Sequence, residues 1–160
     1  MTVNSKRDPI EVLQHHIDRR GLKLTRQRRL IAEVFFESGG HLAADDVWDR
    51  VRRTDPNVSL ATVYRTMKLL TECGLAAPHR FEGTSVRYEP AAEAEEHHDH
   101  LICVKCGRIV EFVNESIEAL QHRVARENGF VVTHHRMELY GECAVCRPHS
   151  VAAQGVATST

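Results

Sequence analysis

The chain has 160 residues, 42% of them hydrophobic and 27% charged, with a formal net charge of −1. That is enough for one core or two small domains, and apolar runs of only a few residues exclude a bilayer-spanning helix. The opening MTVNSKRDPIEV lacks the apolar centre of a secretory signal, so the expected compartment is the cytoplasm. The charge is spread unevenly: residues 1–82 carry 14 Lys and Arg against 11 Asp and Glu, and residues 83–160 carry 7 against 11. A basic half suits a polyanion and an acidic half suits cations.

The first half reads as helices. Ile10, Leu13 and Ile17 share one face of a helix that Gly21 ends. Thr25 caps a second, with Leu30, Ile31, Val34 and Phe35 inward and Gly39-Gly40 as its stop. A third, short helix runs from Ala43 to Arg53 with Val47, Trp48 and Val51 inward, and Asp55-Pro56 closes it. Ser59 caps a fourth, in which Val63, Met67 and Leu70 share a face and which Gly74 ends. Two strand-like runs follow around Glu82-Gly83-Thr84. Helices followed by a hairpin in this order predict a winged helix-turn-helix. Glu89–Glu96 reads as a hinge; beyond it, HLICV and GRIVEFV read as strands. A helix capped by Asn114 comes next, and GFVVTHHRMELYGEC reads as one long strand or two. The tail SVAAQGVATST has the polar, small-residue composition of a disordered segment.

On the fourth helix the apolar face leaves Ala61, Arg65 and Lys68 outward, with Thr62 and Tyr64 at the margins. Small residues near the N-terminus of such a helix allow close approach to a major groove. Tyr64 can pack on a thymine methyl and Arg65 can hold phosphate or guanine. Arg26, Arg28 and Arg29, at the start of the second helix, suit backbone phosphates.

Cysteine usage points to metal. Cys103/Cys106 and Cys143/Cys146 form two Cys-x-x-Cys pairs separated by 36 residues, and seven of the eleven His fall between His97 and His149. In a reducing compartment such pairs read as zinc or redox chemistry. Four thiolates make a closed structural zinc site with no open position for catalysis. Cys73 stands alone in the fourth helix and reads as packing. His97, His98, Asp99 and His100 lead into a strand, where alternate side chains share a face. His98 and His100 then point one way, and His97 and Asp99 the other. Candidates to complete two sites are His41, Glu89, Glu111, Glu118, and His134 or His135. Imidazole and carboxylate ligands suit Fe(II), Mn(II), Zn(II) or Co(II). A zinc hydrolase or deaminase is the rival from another class, but no His-x-Glu stands upstream of a Pro-Cys-x-x-Cys.

The segments TRQR, SLATVYRT, HHDHLICVKCG, IVEF and the paired Cys-x-x-Cys motifs resemble the ferric uptake regulator family from about Gly21 to Cys146. The resemblance implies an α+β fold: a winged-helix DNA-binding domain over residues 1–88, an α/β dimerisation domain over 89–149, and a disordered tail over 150–160. It implies a homodimeric, metal-dependent repressor of operator DNA, with no membrane partner and no enzymatic activity. Cys103, Cys106, Cys143 and Cys146 would hold structural Zn(II). His41, Glu89, His98, His100 and Glu111 would form the regulatory site, and His97, Asp99, Glu118 and His135 a further one. Tyr64 and Arg65 lie where the family contacts DNA, with Thr62, Lys68 and Arg26 nearby. Peroxide-sensing members tend to carry Asp where Glu89 and Glu111 stand, and zinc-sensing members place a Cys near the hinge ligand, where this chain has YEPAA. Both departures favour Fe(II) as the regulatory metal, with Mn(II) or Zn(II) as alternatives.

Overall fold

The computed structural model describes residues 8–94 and 97–147. The chain divides into two compact units, Met1–His97 and His98–Thr160.

In the first unit, Asp8 caps α1 (Pro9–Arg19) by accepting a hydrogen bond from the Ile10 N–H at 2.9 Å, and Pro9 supplies the preset first turn. Thr25 caps α2 (Arg26–Ser38), which ends at Gly39 in the left-handed region with φ 57°. After β1 (Leu42–Ala43) come α3 (Ala44–Val51) and α4 (Leu60–Glu72), the latter capped by Ser59. The third helix is shorter than the expected Ala43–Arg53 span. Thr54 and Asp55 both donate to the Val51 carbonyl and turn the chain there. Leu13, Ile31, Phe35, Val47, Val63 and Met67 are fully buried between the helices, as the 3.6-residue periodicity requires.

β2 (Ala76–His79) and β3 (Arg87–Pro90) form the wing, and β1 joins them in the antiparallel order β1-β3-β2. The stretch expected as a hinge takes regular structure from Glu89 to Ala94. Glu89 and Pro90 close β3, and Ala91–Ala94 form α5. The Ala91 N–H donates to the Leu75 carbonyl at 3.0 Å, tying that turn to the end of α4.

The second unit holds β4 (Asp99–Cys103), β5 (Ile109–Phe112), α6 (Glu115–Glu127) and β6 (Glu138–Gly141). β4 lies in the middle, antiparallel to β5 and parallel to β6. Asn114 caps α6 through its side-chain oxygen. Of the one long strand or two expected over 129–143, the structure has one short strand, Glu138–Gly141, paired with His100 to Cys103 of β4. Gly129, at φ 78°, and the Phe130 N–H on the Ala125 carbonyl first turn the chain off α6. The tail over 150–160 lies outside the described residues. No described helix is long and apolar enough to cross a membrane.

The two units differ in what they bury. Among the described residues of the second unit, only Asp99, His100, Ile102 and Cys103 are buried, all on β4, and α6 buries none.

Candidate metal centres and nucleic-acid face

The four cysteines meet at one end of the second unit's sheet. Cys103 ends β4, Cys106 follows in the β4–β5 turn, and Cys143 and Cys146 follow β6. Their sulfurs all lie within 4.8 Å of one another, with Cys106 and Cys143 Sγ atoms 3.8 Å apart. The Cys143 N–H donates to Cys103 Sγ at 3.3 Å. That amide, and after it the Cys106 amide, lower the Cys103 thiol to about 6, and the Cys146 amide lowers Cys143. Cys146 is pushed up to about 12, because its thiol is hydrogen-bonded first to Cys106 and then to Cys143. The backbone thus favours thiolate at two positions, while the crowding of sulfurs opposes a fourth negative charge unless a cation is present. This donor set fits zinc in a closed tetrahedral site.

A second group lies around the start of β4. Asp99, fully buried, Glu118 of α6 and His135 offer ligand atoms within 4.8 Å of one another, and His135 Nε2 is 3.2 Å from Glu118 Oε2. Asn114 fixes the first turn of α6 and so places Glu118. His97 stands at the boundary of the two units, two residues before Asp99. His134, the other histidine weighed, is exposed. Mixed imidazole and carboxylate donors of this kind fit a divalent first-row metal.

The remaining five candidates divide between the units. In the second, the His98 and His100 rings have centroids 4.9 Å apart, and His100 pairs with Glu111 across the β4–β5 ladder. In the first, His41 Nε2 lies 3.6 Å from Glu89 Oε2, and both side chains are 1% exposed. The turn before β1 delivers His41, and the Arg87 guanidinium holds its carbonyl at 3.4 Å while pairing with Asp46 at 2.9 Å. The other Glu89 oxygen, Oε1, is 2.5 Å from His79 Nε2. His79 was not among the residues picked from the sequence. It stands alone in the wing without a motif, and only the strand register, with His79 opposite Arg87 and Glu89 opposite Ala77, puts it on the Glu89 face.

The outward residues of α4 form a basic surface. Ala61, Tyr64, Arg65 and Lys68 are exposed, and Thr62 is half-buried beside the cap. The Tyr64 hydroxyl donates to Asp45 Oδ2 at 3.1 Å, and this bond raises its pKa above the usual phenol value. Arg20, Arg28, Arg65 and Lys68 line an open groove of about 230 Å³ with Glu72 at one side. Glu72 pairs with Arg20 and lies 4.0 Å from both His16 and Lys68. Arg26 is exposed at the first turn of α2, and Arg20 is a groove residue that periodicity alone did not single out.

A winged helix joined to a small sheet that carries a four-thiolate centre and histidine–carboxylate clusters defines a class of metal-binding winged-helix proteins. The model of the ferric uptake regulator family matches residues 19–140, and the chain belongs to that family. It is 43% identical over 134 residues to the ferric uptake regulation protein of Rhizobium leguminosarum, covering 84% of this chain and 93% of that protein. The ferric uptake regulator of Helicobacter pylori, whose structure reveals three functional metal binding sites, is similar with a TM-score of 0.72 and 32% identity, over 89% of this chain and 94% of that one. A zinc-bound manganese uptake regulator has a TM-score of 0.70 and 43% identity, over 82% and 98% of the two chains.

Proposed function

We propose that this protein is a cytoplasmic, homodimeric transcriptional repressor, not an enzyme, that binds operator DNA when a divalent metal occupies a regulatory site. The observation that carries the reading is the make-up of β4. Three of the four residues buried among the described residues of the second unit, Asp99, His100 and Cys103, are metal-ligand types, where a strand of an ordinary domain would bury aliphatic side chains. A strand so built is favourable when cations satisfy it, because buried charges are otherwise costly.

The four cysteines hold structural Zn(II). His41 and Glu89 from the first unit, with His98, His100 and Glu111 from the second, are the proposed ligands of the regulatory metal, taken as Fe(II). His97, Asp99, Glu118 and His135 are the proposed ligands of a further site. Supporting this, each unit gathers its own share of the ligands: His41 with Glu89, and His100 with His98 and Glu111. A metal with ligands in both units favours the arrangement that supplies them all, and differential affinity is what shifts a population. A difference of ~3 kcal/mol moves the ratio more than a hundredfold.

The sheet of the second unit supports dimerisation. Val110, Leu101 and Leu139 stand in register across β5, β4 and β6, and all three are exposed. They line an apolar groove of about 240 Å³. Leu120 and Val124 of α6, and Phe130 and Val131 after it, are exposed as well. An apolar surface of this extent marks a protein–protein interface. On DNA, Tyr64, Arg65, Thr62 and Lys68 of α4 are the proposed groove contacts, with Arg26 on the backbone.

A second reading, Mn(II) as the regulatory metal, is favoured by the 43% identity to the manganese uptake regulator. The ligand assignment is tested by His98→Ala and Glu89→Ala, each expected to lower metal-dependent operator affinity while the dimer stays folded. Normal operator binding by His98→Ala at limiting metal would show the assignment to be wrong.

A further inference from the structure

Beside the proposed ligands His41 and Glu89, the wing places a third imidazole, His79, that the ligand set above does not use. Glu89 is 1% exposed, and its two oxygens face different imidazoles: Oε2 lies 3.6 Å from His41 Nε2, and Oε1 lies 2.5 Å from His79 Nε2. The His79 ring is itself fixed. It stacks on the buried Phe81 with an interplanar angle of 14° and a centroid distance of 5.9 Å, and meets the His41 ring edge-on at 5.0 Å. Phe81 also packs against His41, at 5.5 Å. Among the described residues, His79 joins no group of three or more potential ligand atoms within 4.8 Å of one another. Its Nε2 lies within contact distance of the carboxylate oxygen Oε1.

We propose that His79 is a positioning residue for the metal ligand Glu89: it engages Oε1, so that Glu89 offers a cation only Oε2, on the side of His41. This rests on the reading of His41 and Glu89 as regulatory-metal ligands. The reasoning is that of outer-sphere partners in metal sites generally. A ligand held by a hydrogen-bonding neighbour binds in one orientation, and loss of that neighbour costs metal affinity. Here it has a second effect. A carboxylate confined to one oxygen takes one coordination position, whereas a released one can swing to bind through both. The change favours metals that tolerate high coordination number and oxygen donors, such as Mn(II), over Zn(II), which prefers four ligands. His79 therefore restrains the choice of metal as well as its affinity.

The test uses the full-length, zinc-loaded protein carrying His135→Ala, so that a single accessory site is read. Affinities for Mn(II), Co(II) and Zn(II) are measured by competition with a chromophoric chelator, alongside the Co(II) d–d spectrum. His79→Phe keeps an aromatic ring for Phe81 to stack on and removes the nitrogen. It should weaken Co(II) binding on the order of 10- to 100-fold and weaken Mn(II) binding less than Zn(II) binding. His79→Gln, whose amide N–H₂ can reach the same oxygen, should restore most of the loss, and thermal unfolding of both variants should match the parent. Parent-like affinity in His79→Phe, or equal losses for Mn(II) and Zn(II), overturns the proposal. So does failure of His79→Gln to rescue together with an altered Co(II) spectrum, since that pattern marks His79 as a direct ligand. If the parent itself bound no metal beyond its zinc, the failure would lie in the ligand reading of the previous section.

Discussion

The Gly40 N–H donates to the Glu93 carboxylate at 2.9 Å, which fastens α5 to the turn that presents His41. Gly39 and Gly40 both take positive φ there, and a Cβ on Gly39 would stand 3.3 Å from Glu93 Oε1. The same α5 follows directly on β3, which carries Glu89. One exposed hydrogen bond thus joins the turn bearing one proposed ligand to the segment that follows the other.

Glu93→Ala should loosen the His41 turn without touching the cysteine centre. A hydrogen bond to an exposed carboxylate contributes about 1 kcal/mol, so the regulatory-metal affinity is expected to fall roughly fivefold. Competition titration checks this, with the zinc content unchanged as the internal control.

Zinc removal should act on the second unit first. With only four described residues buried, all on one strand, that unit has little apolar core to hold it without the metal. Cys103→Ser, or stripping zinc with a strong chelator, is expected to abolish its cooperative unfolding transition and the dimer with it. The helical first unit, whose core includes Leu13, Ile31, Phe35 and Met67, should keep its own transition. Calorimetry resolves the two, and an unaltered thermogram after zinc loss would contradict the structural role of the four cysteines.

Leu101 is the centre of the apolar stripe between Val110 and Leu139. Leu101→Lys puts a charge where a second copy is proposed to pack, so light scattering after gel filtration should show monomer. Zinc content should be unchanged: Cys103 shares the Leu101 face by strand alternation, but it is buried at the end of β4, within 4.8 Å of the other three cysteines' sulfurs.

Arg65 and Glu72 should act in opposite directions on DNA. Arg65→Ala is expected to weaken operator binding and, if it meets a phosphate, to lower the slope of log affinity against log salt by about one. Glu72→Gln removes the carboxylate that engages Arg20 and stands near Lys68. It should strengthen binding to DNA of any sequence by a few-fold, since it leaves more of the groove's positive charge available. Fluorescence anisotropy over a salt series measures both.

The elements with a strong local signature were legible in the sequence. Thr25, Ser59 and Asn114 cap the helices they were expected to cap, because an N-cap depends on residues two or three positions away. The wing was readable from its turn, and the cysteine cluster from its spacing. What escaped depended on partners distant in sequence. The strand over Glu138–Gly141 pairs with His100 to Cys103 of β4, which no property of residues 129–143 reveals. The stretch read as a hinge is partly helical because Leu75 and Gly40 bond to it. His79 became visible only through the register that puts it opposite Arg87 and so on the Glu89 face, and Arg20 only through the groove it shares with Arg65 and Lys68.

The central claim is that a regulatory metal, beyond the structural zinc, switches DNA binding. Its most direct test is anisotropy of labelled operator DNA with the zinc-loaded dimer, titrated anaerobically with Fe(II), Mn(II) and Zn(II) in turn. Affinity is expected to rise more than a hundredfold as one metal saturates, with the gain lost in His98→Ala. Equal affinity with and without added metal, at full zinc occupancy of the four cysteines, would contradict the account.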